Sequence, residues 1–280
     1  MRTIARSSRS SCPRSSKRFR PKQGAGGGEA ILGDVAGRRV LVLGGSSGIG
    51  LATARLARDQ GAHVAITGRH QGRLDAARAR TTGLEAFLGD MTSEADVADA
   101  FRRFGAVDHV FLAGGGALFG NVVDLPDEKI DGLIRERIWA PVYVARCAAQ
   151  HVRAGHMKSG SITLMSGALA SRVMAGAAIK HAILCATEGL VRGLALEMAP
   201  LRVNAVAPGY TRTPAFESLL GDDPEAEIVR MSANLPLKRI GRAEEVAQAV
   251  LALMTNDFIN GEVLHTDGAG RFVAPALRLR

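Results

Sequence analysis

Residues 38–61, RRVLVLGGSSGIGLATARLARDQG, run an unbroken apolar segment into a glycine-rich turn and out again along a helical pattern. Few folds accept that order. An apolar run without polar alternation must be covered on both faces, which is the condition of a strand inside a parallel sheet. The helical pattern that follows supplies the cover. The same alternation recurs along the chain: AHVAITGR, LEAFLGD, VDHVFLAGGG, GSITLMSG, RVNAVAPG and GEVLHTDG read as further strands, separated by helical segments such as QGRLDAARART and SEADVADAFRRFG. The expectation is an α/β single-domain Rossmann fold: a doubly wound parallel sheet of about seven strands with helices on both faces.

The chain has 280 residues and a formal charge of +9, which at first reads as a nucleic-acid partner. Location of the charge removes that reading. Residues 1–28 carry eight Lys and Arg and no acid, so about one positive charge of the nine is left for the rest. Those first residues, rich in Arg, Ser and Gly and poor in apolar side chains, predict a disordered basic arm over 1–34, with the folded domain over 35–280. An Arg- and Ser-rich, acid-free start is also how a mitochondrial transit peptide reads; otherwise the expected compartment is the cytoplasm. Cys12, Cys147 and Cys185 are odd in number and lack metal spacing, which fits a reducing compartment without a disulfide framework. No apolar run reaches the ~18 residues of a membrane span. Neither a nucleic acid nor a membrane is an expected partner.

The turn Gly44, Ser46, Ser47, Gly48, Ile49, Gly50 stands after a strand and opens a helix, where glycines let the backbone approach a pyrophosphate and the helix N-terminus offers unpaired N–H groups. At the end of the second strand an acid would hold a ribose diol and repel a 2′-phosphate. Here the sequence reads Thr67-Gly68-Arg69, with no acid before Asp75. Arg69, unless it is simply a solvated arginine, favours NADP(H) over NAD(H).

Taken together, these residues resemble the short-chain dehydrogenase/reductase family from about Gly37 to Gly270. LGGSSGIG is similar to the family's TGxxxGIG, with Leu43 in place of Thr. The resemblance implies that Asp90 and Met91 sit at the adenine, and that Ala113, Gly114 and Gly115 take the place of the NNAG segment. It further implies that Pro208, Gly209 and Thr213, in RVNAVAPGYTRTP, flank the nicotinamide.

The same resemblance implies a catalytic Ser, Tyr, Lys and Asn, in which Tyr exchanges the proton and Lys binds the ribose and lowers the Tyr pKa. Ser166 fits the serine. Counting on from it places Ile179 where Tyr belongs; counting back from CATEGLVRGLALEMAP places Lys180 there and Leu184 at the Lys. The asparagine aligns with Arg137 in RERIWAPVYVARC. One member of four survives. Lys180, if desolvation lowers its pKa, or His181 is a candidate proton donor, and on one helix the two point about 100° apart. Tyr210, which follows the Pro-Gly turn, could act only beside a cation, and otherwise packs on the cofactor. Arg137 could orient an acidic substrate, hold an oxyanion or form a structural ion pair. Tyr143 reads as core or interface.

HAILCATEGLVRGLALEMAP is apolar on nearly every face and must be buried, either inside a monomer or, as the resemblance implies, in a homodimer or homotetramer. Three readings follow. The first is an NADP(H)-dependent oxidoreductase acting on a small-molecule carbonyl or alcohol with a non-standard proton donor. The others are an isomerase or cyclase on the same scaffold, and a nucleotide-binding protein without catalysis.

Overall fold

The computed structural model describes residues 34–116, 118–151 and 160–273; the basic arm and the transit-peptide reading concern residues outside these, apart from Asp34. In chain order the elements are β1 (Arg39–Leu43), α1 (Gly48–Asp59), β2 (His63–Gly68), α2 (Gln71–Ala79), β3 (Leu84–Leu88), α3 (Glu94–Phe104) and β4 (His109–Leu112). There follow α4 (Asp127–Ile134), a π-helical turn (Arg135–Trp139), α5 (Ala140–His151), β5 (Ser161–Met165) and α6 (Ala178–Glu197). Then come β6 (Arg202–Pro208), β7 (Thr211–Arg212), α7 (Pro214–Glu217), α8 (Pro224–Ala233), β8 (Gly241–Arg242), α9 (Ala243–Thr255) and β9 (Val263–Thr266).

Seven strands form one parallel sheet in the order β3-β2-β1-β4-β5-β6-β9, as the apolar runs predict. The second sheet, β7 with β8, is too short to leave a periodic signal. Successive side chains of β1 serve opposite cores. Leu41 and Leu43 pack with Phe101, Val144 and Val191 on the face covered by α3, α5 and α6. Val40 and Val42 pack with Ala54, Val246 and Val250 beneath α1 and α9. α1 buries Gly50, Ala52, Thr53, Ala54 and Ala57, and these small side chains let it lie close to the sheet and to α9.

The order reverses direction between β1 and β4, where the loops leaving the two carboxyl ends diverge and open a crevice. α3 and α1 differ in a way that bears on that crevice. α3 is complemented at both ends: Ser93 accepts from the Asp96 N–H at 3.3 Å, Glu94 and Asp96 stand in the first turn, and Arg102 and Arg103 in the last. α1 has no side-chain cap and no acid in its first turn, so its positive end faces the crevice uncompensated.

The expectation for α6 needs correction on one point. Ile183, Leu184, Thr187, Val191 and Leu194 are buried, but Ala182, Ala186, Gly189 and Gly193 are exposed and Leu196 is 83% exposed. Burial of the whole helix inside one chain is therefore excluded, because the sheet covers only one side of it.

At the opposite end of the sheet, His109 is fully buried with Nδ1 2.8 Å from Ser161 Oγ, and its Nε2 has no partner. Burial, with the Arg202 and Arg38 charges adding to it, pushes its pKa down to about 3. The unfolded chain takes up a proton near pH 6.5 that the fold refuses until about pH 3. The contribution of neutral His109 is thus complete above pH 6.5 and drains away as pH falls, by on the order of 5 kcal/mol at pH 3. Urea midpoints should drop steeply between pH 6.5 and 4.5, and less so in His109→Gln; equal slopes would contradict the assignment.

Candidate active site

A cleft of about 680 Å³ opens past the carboxyl ends of β1, β2, β4, β5 and β6. Its floor is the turn after β1. Gly44 and Gly48 have φ of +83° and +53°, a region that disfavours any side chain. The Gly45 N–H donates to Thr67 O at 2.9 Å and the Gly44 N–H to Thr67 Oγ1 at 3.3 Å, which ties the turn to the end of β2. A Cβ at Gly50 would stand on the Gly44 carbonyl and against Ala113, so α1 starts as close to the turn as a backbone can. Gly44, Ser46, Ser47, Gly48 and Ile49 line the cleft, while Gly50 lies behind them. An open helix N-terminus above a glycine turn fits the phosphates of a dinucleotide.

Arg69 reaches the same cleft and is exposed; His70 and Arg73, which sequence reasoning passed over, stand beside it. Asp75 is taken by Gln71 Nε2 at 2.9 Å and does not line the cleft. Asp90 and Met91 line it too, but the Asp90 carboxylate is committed to its own loop, accepting from Thr92 N and Oγ1 at 2.9 Å each. The Met91 side chain lies in the space that a Cβ on Gly114 would take. Ala113, Gly114, Gly115, Pro208, Gly209 and Thr213 all face the cleft, and Thr213 Oγ1 also caps α7 by accepting from Phe216 N at 3.1 Å.

The end of the cleft beside β5 is built by the π-helical turn. Pro141 lacks the N–H that the Arg137 carbonyl would meet in an α-helix, and the backbone widens, with Ala140 N bonding back to Arg135 O. The freed Arg137 carbonyl accepts from Thr187 Oγ1 at 3.2 Å, a hydroxyl shared with Ile183 O at 2.9 Å. The widened turn brings Arg137 inward, where it is 6% exposed. Its Nη1 donates to the Met165 carbonyl at the end of β5, its guanidinium lies against Gly115, and its buried Nε has no partner. Burial lowers its pKa to about 10, against the opposing pull of Glu136, so it stays charged at neutral pH. The Glu136 carboxylate accepts from the Gly116 N–H at 2.5 Å.

Lys180, in the first turn of α6, lines the cleft with Nζ 4.4 Å from the Phe119 ring centroid. Burial first, and the Arg137 charge second, pull its pKa down to about 8, while Glu136 pulls the other way. The positive end of α6 acts with burial and Arg137. Ile179 instead joins Leu118, Leu133 and Ile183 in an apolar cluster, so the backward count matches the side chains that face the cleft. Leu184, one turn beyond Lys180, is 2% exposed and also lines the cleft.

Ser166 lines the cleft, and its hydroxyl donates to Glu188 Oε1 at 2.8 Å, two helical turns beyond Lys180 on α6. His181 does not line it: Nδ1 is 2.6 Å from Leu169 O, and Nε2 is 3.7 Å from Cys185 Sγ. Tyr210 faces the cleft with its ring 5.8 Å from Phe216 and its hydroxyl 3.4 Å from Arg172 Nη2. Tyr143 is partly buried and stacks on Trp139 at 6.0 Å. Sequence reasoning missed Glu136, Glu188 and Arg172. For Glu188 a signal existed, an acid one turn beyond Leu184; Arg172, in an irregular loop, left none.

Among the described residues no cluster of His, Cys, Asp and Glu could hold a metal, and no helix is long and apolar enough to cross a membrane. A family model described as enoyl-(acyl carrier protein) reductase matches residues 44–269. A short-chain dehydrogenase/reductase of Stachybotrys chlorohalonatus, ATR9, is 31% identical over 254 residues, 84% of this chain and 97% of the relative. The solved structure of MalC reductase/Diels–Alderase from Malbranchea aurantiaca superposes with a TM-score of 0.78 at 29% identity, covering 85% of this chain and 97% of that one. BdcA in complex with NADPH superposes with a TM-score of 0.75 at 31% identity, covering 84% and 95%.

Proposed function

The chain belongs to the short-chain dehydrogenase/reductase family, and from that membership we propose an NADP(H)-dependent oxidoreductase that reduces a small carbonyl compound with Lys180 as proton donor. One observation carries the reading: the Lys180 ammonium and the Arg137 guanidinium share a cleft with an uncapped, glycine-floored helix N-terminus.

Gly44, Ser47, Gly48 and Ile49 would hold the pyrophosphate, Arg69 and Arg73 the 2′-phosphate, and Ala113 to Gly115 with Pro208, Gly209 and Thr213 the remainder. When bound, the nicotinamide supplies hydride to the carbonyl carbon. Lys180 gives its proton to the carbonyl oxygen, a task suited to an acid whose pKa is about 8. Arg137 takes the electrostatic part that the family's lysine plays beside tyrosine: a fixed positive charge that holds the neighbouring acid near neutrality. Tyr210 and Phe216 wall the substrate end, and Ser166, held by Glu188, has no direct part in proton transfer. BdcA, solved with NADPH, supports the choice of cofactor.

Titration of NADPH and NADH into the protein tests the cofactor assignment. NADPH should bind about 10- to 100-fold more tightly than NADH. The double variant Arg69→Gln, Arg73→Gln should erase that margin by weakening NADPH alone. Equal binding of both nucleotides by the wild type, or none of either, would contradict the assignment.

A second reading has its own support. Ser166 directed at Glu188, and the likeness to a structure titled reductase/Diels–Alderase, fit a cleft that also shapes a cyclisation. Product formation without oxidation of NADPH would separate the two.

A further inference from the structure

Arg172 also faces the cleft, apart from Lys180, Arg137 and the arginines at the end of β2. Arg172, in the loop between β5 and α6, donates through Nη1 to the Gly270 carbonyl and sets Nη2 3.4 Å from the Tyr210 hydroxyl, while its Nε is buried without an acceptor. Four arginines in the segments around the substrate end are matched by carboxylates. Arg212 pairs with Glu217 and Glu225, Arg230 with Glu227, Arg239 with Glu245, and Arg271 with Asp267. Among the described residues Arg172 has no carboxylate partner. It lies beside the apolar cluster that Phe119, Met174, Tyr210, Phe216 and Leu235 form over the cleft.

A guanidinium half-buried beside apolar walls, bonded to one carbonyl and one hydroxyl but to no anion, keeps its charge uncompensated until an anionic acceptor arrives. A carboxylate is the acceptor its planar fork matches best. We propose that the substrate is an organic anion, an oxo acid with an apolar body, whose carboxylate is received by Arg172 while its carbonyl is presented to Lys180. Arg172 then sets specificity, and Tyr210 orients it from the side. Arg137 and Lys180, both cationic, add to the positive potential that draws an anion into the cleft. For the reaction this rests on the reductase reading: hydride goes to the carbonyl carbon, the proton from Lys180 Nζ to its oxygen, and the carboxylate is unchanged. The binding step does not depend on that reading.

Calorimetric titration of the full-length protein, with and without saturating NADP+, tests it, using aryl and alkyl 2-, 3- and 4-oxo acids, each beside its methyl ester. At least one acid should bind about 10- to 100-fold more tightly than its ester. Arg172→Gln should bring the acid down to the ester and leave ester and NADP+ affinities unchanged. Because Arg172 also braces Gly270, Arg172→Lys is run alongside; keeping the charge without the fork, it should recover part of the preference. A panel in which no acid outbinds its ester, or a preference that survives Arg172→Gln, overturns the proposal. Turnover is followed in parallel. An acid bound through Arg172 but never reduced by NADPH retires the reductase reading and keeps the anion site. Esters reduced as well as acids do the reverse.

Discussion

Lys180→Met lowers kcat/KM for carbonyl reduction by about 10²- to 10⁴-fold, the usual contribution of a positioned general acid, and leaves NADPH affinity nearly unchanged. The reason lies in where the side chain sits. Its ammonium is held over the Phe119 ring in the cleft, whereas the Ser166 hydroxyl is committed to Glu188 and His181 lies outside the cleft; Tyr210, beside Arg172, is the competing acid that a Tyr210→Phe control removes. The pH profile gives a sharper signature than the rate. Reduction needs the protonated form, which dominates below about pH 8, so wild-type kcat/KM should be level at neutral pH and fall above about 8. In the oxidation direction the neutral amine is required, and the limb inverts. Lys180→Arg, which holds its proton throughout, should lose the alkaline limb. A limb that stays in place in Lys180→Arg assigns the proton to another group.

Arg137→Met produces the second large effect, in two parts. Removal of a positive charge that lowers the Lys180 pKa moves the alkaline limb to higher pH. It also removes a cation at the carboxyl end of β5 that, on the proposed reading, meets the charge developing on the substrate oxygen, at an expected cost of about 10²-fold in kcat. Arg137→Lys keeps the charge and should hold the limb close to its wild-type position. A purely structural arginine, bracing only the Met165 carbonyl, would lower stability in both variants and leave the limb where it was. Steady-state profiles from pH 6 to 10, with thermal unfolding of each variant, separate the two outcomes.

How much of this was legible beforehand depends on whether a residue's role is periodic. The seven strands could be read from apolar runs because burial on both faces leaves a continuous signal, and the glycine turn after β1 because positive φ at Gly44 and Gly48 demands glycine. Lys180 was ambiguous by one position. The helix resolves it: from Ala178 the 3.6-residue phase sends Ile179 and Ile183 to the apolar cluster, and Lys180 and Leu184 to the cleft. Arg137 was visible only as a replaced asparagine. Its inward position follows from Pro141, whose missing N–H is written in the sequence, although the widened turn it permits is not. Ser166 was found at its place in the family pattern, but its hydroxyl goes to Glu188, a contact across 22 residues that no local pattern reports. Arg172 escaped for the same reason as the β7–β8 pair: irregular and two-residue segments carry no period.

The most direct test of the central claim follows the hydride itself. NADPH deuterated at both C4 positions is incubated with the wild-type protein and with Lys180→Met, in the presence of mixed aldehydes, ketones and oxo acids, and the alcohols are read by mass spectrometry. The account predicts one deuterium on the carbinol carbon of a product made by the wild type, and its near absence with Lys180→Met. NADPH bound to saturation with no deuterium in any product would contradict it, leaving a family member that keeps the nucleotide and performs no reduction.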